Sequence, residues 1–515
     1  MQYPATMPTR RIKLPYVAMQ PSLPHVVADI LAPNSSVGVE DCWVSCYASR
    51  TAEDAPGQAQ QLSVHGRIRL SESDEREGEV QAESKDDKVH VEMQPQSEFS
   101  VSCPELAISP TTVLFPSPPS NIIVPSASTN PTSQELPPPS FYRLAARGRR
   151  GGIETFAASS DGKRLVVGGV DGQAHVVEVV EHVVSGAEGS GRRTKVSKGK
   201  EVALRGHVGD LTDAAFFPSN EVVLTASSDM TLRIFSALDG SSPRTLKGHT
   251  KRITALHILA SVSASGPHKG RLDLSASLDG TLRLWDVASA TATHTWTLAQ
   301  PISALLVCQS DAGAEDPDDV LKGKIALAAH TDGTVSRIDL STPPPSSGMT
   351  TAPTVLQSPN ASPIETLSKM GNWLATGSRN GVVAVYQLPP LSTQSDVEPL
   401  IEWTRTEGGS SISSVRFSSR ESTGHGTDGT AFSEPRSLLV ASSDGLAYRV
   451  ALSRPPTGTE GTLSSEQVDV RVVEEFVGPD CEPTTCIRED AAGRVWISAG
   501  GTDGGLRVYE RSVHA

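Results

Sequence analysis

After residue 150 the chain repeats one pattern of apolar and polar positions. Each repeat has a short apolar strand, a tight turn built on Asp or Asn, and a second strand ending in an aromatic or aliphatic residue. Seven such turns occur, at Asp171-Gly172, Asp229-Met230, Asp279-Gly280, Asp332-Gly333, Asn380-Gly381, Asp444-Gly445 and Asp503-Gly504. Six of the seven carry the Asp-Gly or Asn-Gly pair that two-residue hairpins favour. Their spacing of 48 to 64 residues predicts an all-β, seven-bladed β-propeller over residues 140–515, with loops added to the roughly 40–45 residues of a minimal blade.

The third repeat shows the predicted strands most clearly. Strands are expected at 253–259, 272–277 and 281–286, and the last has the sequence TLRLWD. This ending resembles the Trp-Asp signature of the WD-repeat family. His249, Ser277, Asp279 and Trp285 are then expected to form a hydrogen-bonded relay from the loop that enters the blade to its third strand.

The second repeat has a related but incomplete set. His207, Ser227 and Asp229 occupy the corresponding positions, whereas Phe235 stands where Trp is expected. The same relay is predicted here without its last donor.

The end of the chain predicts how the ring closes. The last repeat supplies strands near 485–489, 494–499 and 505–510 and then lacks a fourth strand. The apolar and aromatic segment 140–146 is expected to supply it by pairing with 506–509. Strands from both ends of the propeller would then share one sheet, which leaves no open edge.

Residues 1–139 have a different composition and are predicted to form a small separate N-terminal module. Strand-like alternation occurs at 42–47, 62–70 and 88–93. The acidic stretch 71–88 and the Pro-rich stretch 110–139 are predicted to be disordered or extended.

Charge and cysteine content narrow the function classes. The net charge of -14 and the isoelectric point of about 5.4 favour a basic protein surface as partner over nucleic acid. Six cysteines without a CxxC pair or zinc spacing indicate a reducing compartment, no disulfides and no metal, with Cys42 and Cys46 as ordinary thiols. The sequence shows no bilayer-spanning apolar run and no secretory signal pattern, so a cytosolic or nuclear location and no membrane partner are expected.

The sequence predicts a protein that is not an enzyme and has no cofactor. His with Ser and Asp suggests a hydrolase triad, but the regular placement of His207 and His249 favours a structural role, and no GxSxG elbow occurs. No P-loop is present. The basic stretches 147–150 and 192–200 are interpreted as solvated loops.

One stretch carries a narrower resemblance. Residues 204–212 (LRGHVGDLT) and the following 216–219 and 222–226 resemble the second blade in the family of the proteasomal ATPase-associated factor. Residues 247–249, 275–281 and 284–286 are similar to its next blade, and 41–47 (DCWVSCY) to its N-terminal segment. The order of an N-terminal module followed by a seven-repeat ring is similar as well.

This resemblance implies a non-catalytic assembly chaperone for the proteasome regulatory particle. It would act as a monomer and hold the C-terminal domain of an AAA-ATPase subunit through complementary charge. The expected contact residues are acidic or exposed residues on the face of entrance loops and turns: Asp210, Asp213, Glu154, Glu365, Glu482 and Met230. The alternative is a WD-repeat scaffold or substrate receptor in another complex, such as a ubiquitin ligase.

Overall fold

The structure is a computed structural model of the 515-residue chain. It describes residues 11–32, 38–49, 61–73, 80–94, 98–116, 141–143, 152–184, 193–259, 272–309, 320–346, 348–389, 397–406, 409–418, 437–453, 468–478, 482–500 and 505–510. Within these ranges the secondary structure is almost entirely β-strand, as the sequence predicts.

The N-terminal residues form eight strands and one helix. They are β1 (Arg11–Lys13), β2 (Tyr16–Met19), α1 (Leu23–Ile30), β3 (Val39–Ser49), β4 (Gln61–Glu72), β5 (Val80–Ser84), β6 (His90–Gln94), β7 (Glu98–Cys103) and β8 (Ile108–Leu114). Strands β2 to β5 form their own sheet, and α1 packs against β3 and β4.

The rest of the described chain forms antiparallel four-stranded units. The first three are β10 (Ile153–Ala158), β11 (Arg164–Gly169), β12 (Ala174–Val184), β13 (Arg193–Leu204); β14 (Leu211–Phe216), β15 (Val222–Ser227), β16 (Thr231–Ser236), β17 (Arg244–Lys247); and β18 (Ile253–Leu259), β19 (Leu272–Ser277), β20 (Thr281–Asp286), β21 (Thr291–Thr297). The first three strands of the third unit begin and end where the sequence predicts.

The next three units continue the pattern. They are β22 (Ile302–Gln309), β23 (Lys324–His330), β24 (Thr334–Asp339), β25 (Thr354–Gln357); β26 (Ile364–Met370), β27 (Trp373–Ser378), β28 (Val383–Gln387), β29 (Ile401–Thr404); and β30 (Ile412–Phe417), β31 (Ser437–Ser442), β32 (Ala447–Ser453), β33 (Asp469–Phe476).

The last unit combines strands from two distant parts of the chain. Strands β34 (Thr484–Glu489), β35 (Val495–Ala499) and β36 (Gly505–Tyr509) are completed by β9 (Tyr142–Arg143), which pairs antiparallel with β36. Phe141 packs edge-on against Trp496, with ring centroids 5.0 Å apart. The predicted closing strand is therefore present; the prediction's residues 144–146 lie outside the described ranges.

The inner strands form a closed ring. Each of β10, β14, β18, β22, β26, β30 and β34 contacts the next, and β34 contacts β10. The second residue of four inner strands donates a hydroxyl hydrogen bond to the first residue of the following one. The bonds run from Thr254 to Ile302, Ser303 to Ile364, Ser413 to Thr484 and Thr485 to Ile153, with lengths of 2.5–3.0 Å.

The N-terminal strands extend the outer edges of two blades. Strand β1 pairs in parallel with β29, and β8 pairs in parallel with β33. A buried Arg405 lies against the rings of Tyr16 and Tyr448 and pairs with Glu475, which also accepts the N–H of Val17. The predicted domain boundary at 139/140 remains a prediction. The N-terminal strands β1 and β8 nevertheless pair with strands of the ring's sheets.

Two expectations about disorder are wrong in part. Strand β5 and the end of β4 fall inside the acidic stretch and pair with each other. Residues 110–114 of β8 fall inside the Pro-rich stretch, and β8 pairs with β7 and with the distant β33. The basic stretch 193–200 is likewise not a loop: it belongs to β13, which pairs along a long hairpin with β12. Residues 74–79, 117–140, 147–150 and Arg192 lie outside the described ranges.

Two histidines connect the entrance loops to the turns of the second and third blades. His249 Nδ1 lies 3.0 Å from the Asp279 carboxylate, and its Nε2 lies 2.7 Å from the Ser275 hydroxyl. Trp285 donates its indole N–H to the same hydroxyl at 2.8 Å. Burial opposes ionisation of Asp279, but the bonds from His249 and Thr281 outweigh it and hold the pKa of Asp279 well below its usual range. The carboxylate therefore stays ionised and accepts a hydrogen bond from the Nδ1–H group of His249.

The prediction assigns the wrong hydroxyl residue to the relay in both blades. Ser277 Oγ donates to the carbonyls of the loop at Lys251 and Arg252 and accepts the Asp279 N–H, so it fixes the turn and does not contact the histidine. In the second blade His207 bonds Asp229 and Thr225, both at 2.8 Å, while Ser227 bonds Gly209 O. The relay hydroxyl thus lies two residues before the predicted one.

Asp273 is a buried carboxyl in an apolar position of the third blade. Both of its oxygens are buried without a hydrogen-bond partner. The corresponding positions of the other blades hold apolar residues: Leu165, Val223, Ala326, Leu374, Leu438 and Val495. Burial raises the pKa of Asp273 well above its usual range.

We expect Trp285→Ala to lower the free energy of unfolding by about 3–5 kcal/mol, because it empties a large buried site. Trp285→Phe places the second blade's residue at this position. It removes the indole donor and part of the buried ring, so its cost should be smaller, about 1–3 kcal/mol. Equilibrium denaturation measures both. An unchanged unfolding midpoint for Trp285→Ala would contradict the role of the relay.

Replacing Asp273 by Val should stabilise the protein by about 1–3 kcal/mol at pH 7, because an unpaired buried polar group is removed. The folded-state pKa is raised, so folding disfavours ionisation, and wild type regains stability as the pH falls towards the unfolded value of about 3.9. The gain should therefore shrink between pH 7 and pH 4 in denaturation experiments. Asp273→Asn is the control, since it stays polar; an equal gain from Asn at every pH would contradict this explanation.

Candidate partner-binding site

The entrance loops and the turns between second and third strands meet on one face of the ring, here called the entrance face. In the second blade this contact is direct, since Val208 donates its N–H to Asp229 at 3.2 Å. Two large apolar side chains are exposed there: Val208 is 85% exposed and Met230 is 42% exposed. Exposed apolar side chains next to each other are typical of protein-binding surfaces.

Met230 adopts a backbone conformation that is unfavourable for its side chain. Its φ is +67°, and the same turn position in other blades is held by glycines with φ from +80° to +86°: Gly280, Gly333, Gly381 and Gly445. A non-glycine residue in this region costs on the order of 1 kcal/mol or more. The side chain is not buried, so core packing does not offset this cost.

Acidic groups lie beside these two residues. Asp210 accepts the N–H of Asp171 from the first blade's turn at 3.0 Å. Burial raises the pKa of Glu154, the charge of Asp210 adds to this rise, and Arg252 opposes it. Glu154 is the second residue of β10, which contacts β14, and Asp210 directly precedes β14. We call Val208, Asp210, Met230 and Glu154 the entrance patch.

The structure does not bring the other predicted contact residues into this patch. Asp213 is not on the entrance face: it faces the inside of the ring, where its carboxylate accepts the N–H groups of Leu256 and Ala214 at 3.0 and 2.9 Å. Glu365 begins the fifth blade and is paired with Arg379 at 2.6 Å. Glu482 lies just before β34 in the seventh blade.

Val208 was missed by the sequence analysis. Its only signal is an apolar residue directly after His207, inside a loop that is otherwise polar. The relay holds His207 inward, and this orients the next side chain to solvent.

Other kinds of site receive no support in the described part of the chain. No group of three or more His, Cys, Asp or Glu side chains there is placed to hold a metal ion. No helix among the described residues is long and apolar enough to cross a membrane. His207 and His249 are buried and are occupied by the bonds described above.

Comparison with known proteins adds to this geometry. The family model "WD domain, G-beta repeat" matches residues 199–236 and 240–286, which cover β14 to β16 and β18 to β20. A 53-residue segment is 47% identical to the 26S proteasome regulatory subunit RPN14 of Saccharomyces cerevisiae, covering 10% of this chain and 13% of that protein.

Two further relatives show that this similarity is broad. A segment of 99 residues is 36% identical to the small ribosomal subunit protein RACK1 of Dictyostelium discoideum, over 18% of this chain and 28% of that protein. A segment of 97 residues is 30% identical to periodic tryptophan protein 2 of Arabidopsis thaliana, covering 19% of this chain and 10% of that protein. Each match spans less than a third of the relative. Together with the repeated four-stranded sheets, the two matched repeats show a WD-repeat β-propeller fold.

Proposed function

We propose that this protein is a non-catalytic chaperone that binds an AAA-ATPase subunit of the proteasome base through the entrance patch while the regulatory particle assembles. The observation that carries the proposal is the exposed, strained Met230 next to Val208 with carboxylates at its border. The segment similar to a proteasome regulatory subunit supports the choice of partner.

The physics of the patch suits a partner that is released later. Two apolar side chains of this size bury too little area for a permanent interface. Carboxylates at the border chiefly accelerate encounter with a basic surface and exclude acidic partners. The net charge of -14 acts in the same direction over a longer range.

The second candidate function is a scaffold or substrate receptor in another complex, such as a ubiquitin ligase. It is favoured by the similarity to WD-repeat proteins of other kinds. Affinity capture with the full chain separates the two: recovery of proteasomal ATPase subunits supports the chaperone, and recovery of cullin-ligase components without them rejects it.

Met230→Gly should weaken binding to the purified ATPase C-terminal domain about tenfold or more, because it removes a buried interface side chain. It should leave the melting temperature unchanged or higher, since glycine relieves the positive φ. Calorimetry and thermal melting measure the two effects.

Met349→Gly is the control for Met230→Gly, because Met349 is also an exposed methionine, at 57%, but lies in the loop between β24 and β25. Equal affinities for the two variants would remove Met230 from the interface.

Asp210→Asn should reduce the association rate with the ATPase domain several-fold at low salt and flatten its salt dependence. The asparagine oxygen can still accept the Asp171 N–H, so the fold should be retained. Asp239→Asn is the matched control, because Asp239 lies in the turn on the opposite face of the same blade, where it caps Ser241. A salt dependence that changes equally in both variants would place the charge recognition elsewhere.

A further inference from the structure

The fifth residue of each inner strand contributes to one layer around the axis of the ring. In all seven blades the first residue of the inner strand pairs with the second strand of the same blade. The pairing register then shifts between this first residue and the third. The layer therefore consists of Ala157, Ala215, His257, Leu306, Ser368, Arg416 and Arg488. It contains two arginines in adjacent blades and no carboxylate.

The two guanidinium groups are held at the inner edge of the ring. Arg416 donates from Nη1 to the carbonyls of Leu367 and Val415 at 3.0 and 3.3 Å. The guanidinium of Arg488 lies 5.9 Å from the ring centroid of Phe156 in the first blade. Its Nε is buried and has no hydrogen-bond partner.

Positive charge in this layer exceeds the negative charge near it. Arg416 and Arg488 occupy the same position in β30 and β34, which contact each other. Burial lowers the pKa of Arg416, and the charge of Arg488 lowers it further. Burial also lowers the pKa of His257 to about 4, so His257 is neutral at pH 7 and adds no charge.

The carboxylate that interacts with both arginines is Asp213, on the third residue of β14. Its oxygens already accept the N–H groups of Leu256 and Ala214, and burial raises its pKa. Among the residues that the structure describes, this single carboxylate cannot neutralise both guanidinium groups.

We propose that Arg416 and Arg488 form an anion site inside the ring that binds a phosphate group. Two guanidinium groups present several N–H donors to the tetrahedral oxygens of a phosphate, which accepts from more than one donor at once. The unpartnered Nε of Arg488 is then a donor to the bound anion. The proposal does not depend on which protein the entrance patch binds.

The test is titration of the full chain with inorganic phosphate, with sodium chloride at equal ionic strength as the comparison. Calorimetry measures binding, and the melting temperature is measured in each salt. Wild type should bind phosphate and melt at a higher temperature in its presence. Arg488→Gln should weaken binding about tenfold or more, whereas Arg488→Lys should lose less. Arg379→Gln is the matched control, because Arg379 is exposed, pairs with Glu365 and should have no effect.

Asp213→Asn provides a test in the opposite direction. Removing the carboxylate that competes for the arginines should tighten phosphate binding several-fold. The proposal would be overturned if wild type bound phosphate no better than chloride. It would also be overturned if Arg488→Gln and Arg379→Gln lost phosphate affinity equally. A phosphoserine peptide titrated in parallel distinguishes a phosphorylated polypeptide from free phosphate as the source of the group.

Discussion

The structure depends on closure of the inner ring. Strand β9 fills the last position of the sheet that β36 ends, and Thr485 donates to the carbonyl of Ile153, where the first inner strand begins. Without these contacts β36 and β10 would leave unpaired backbone groups and apolar surface to solvent. Because the inner strands contact one another in sequence, the loss of one junction removes a neighbour from both adjoining blades.

A closed ring also explains how the entrance patch tolerates strain. The turn at Met230 is fixed by Asp229, which bonds the His207 ring and the N–H groups of Val208 and Thr231. Burial opposes ionisation of Asp229, yet the bonds from His207 and Thr231 hold its pKa well below the usual range. A turn determined by so many bonds keeps an unfavourable φ at one residue. The same bonds fix the backbone that carries Val208 and Met230, which reduces the entropy lost on binding.

The sequence predicted those features that depend on local patterns. The Asp-Gly turns, the strands of the third blade and the missing fourth strand of the last one follow from side-chain alternation and turn chemistry within a few residues. The relay histidines followed from their spacing, but the choice between Ser275 and Ser277 depends on strand twist and on which hydroxyl faces the ring of His249. That geometry is not encoded in spacing alone.

Some of the errors come from pairing between distant residues, and others come from local register. Strand β8 pairs with β33, which lies more than 350 residues later in the chain, and Arg11 forms an ion pair with Glu402, 391 residues later. The acidic and Pro-rich composition nearby therefore gave no sign of these strands. Asp213 was placed on the entrance face because it is acidic and near the predicted start of an inner strand. The irregularity between Leu211 and Asp213 shifts the register and turns its side chain towards the inside of the ring.

The most direct test of ring closure is hydrogen–deuterium exchange on the full chain and on Phe141→Ala. Phe141 packs on Trp496 beside the closing strand, so its loss should deprotect amides in both β36 and β10 and lower the melting temperature. Deprotection confined to β9, with unchanged exchange in β36 and β10 and the same melting temperature, would show that the ring does not depend on this strand.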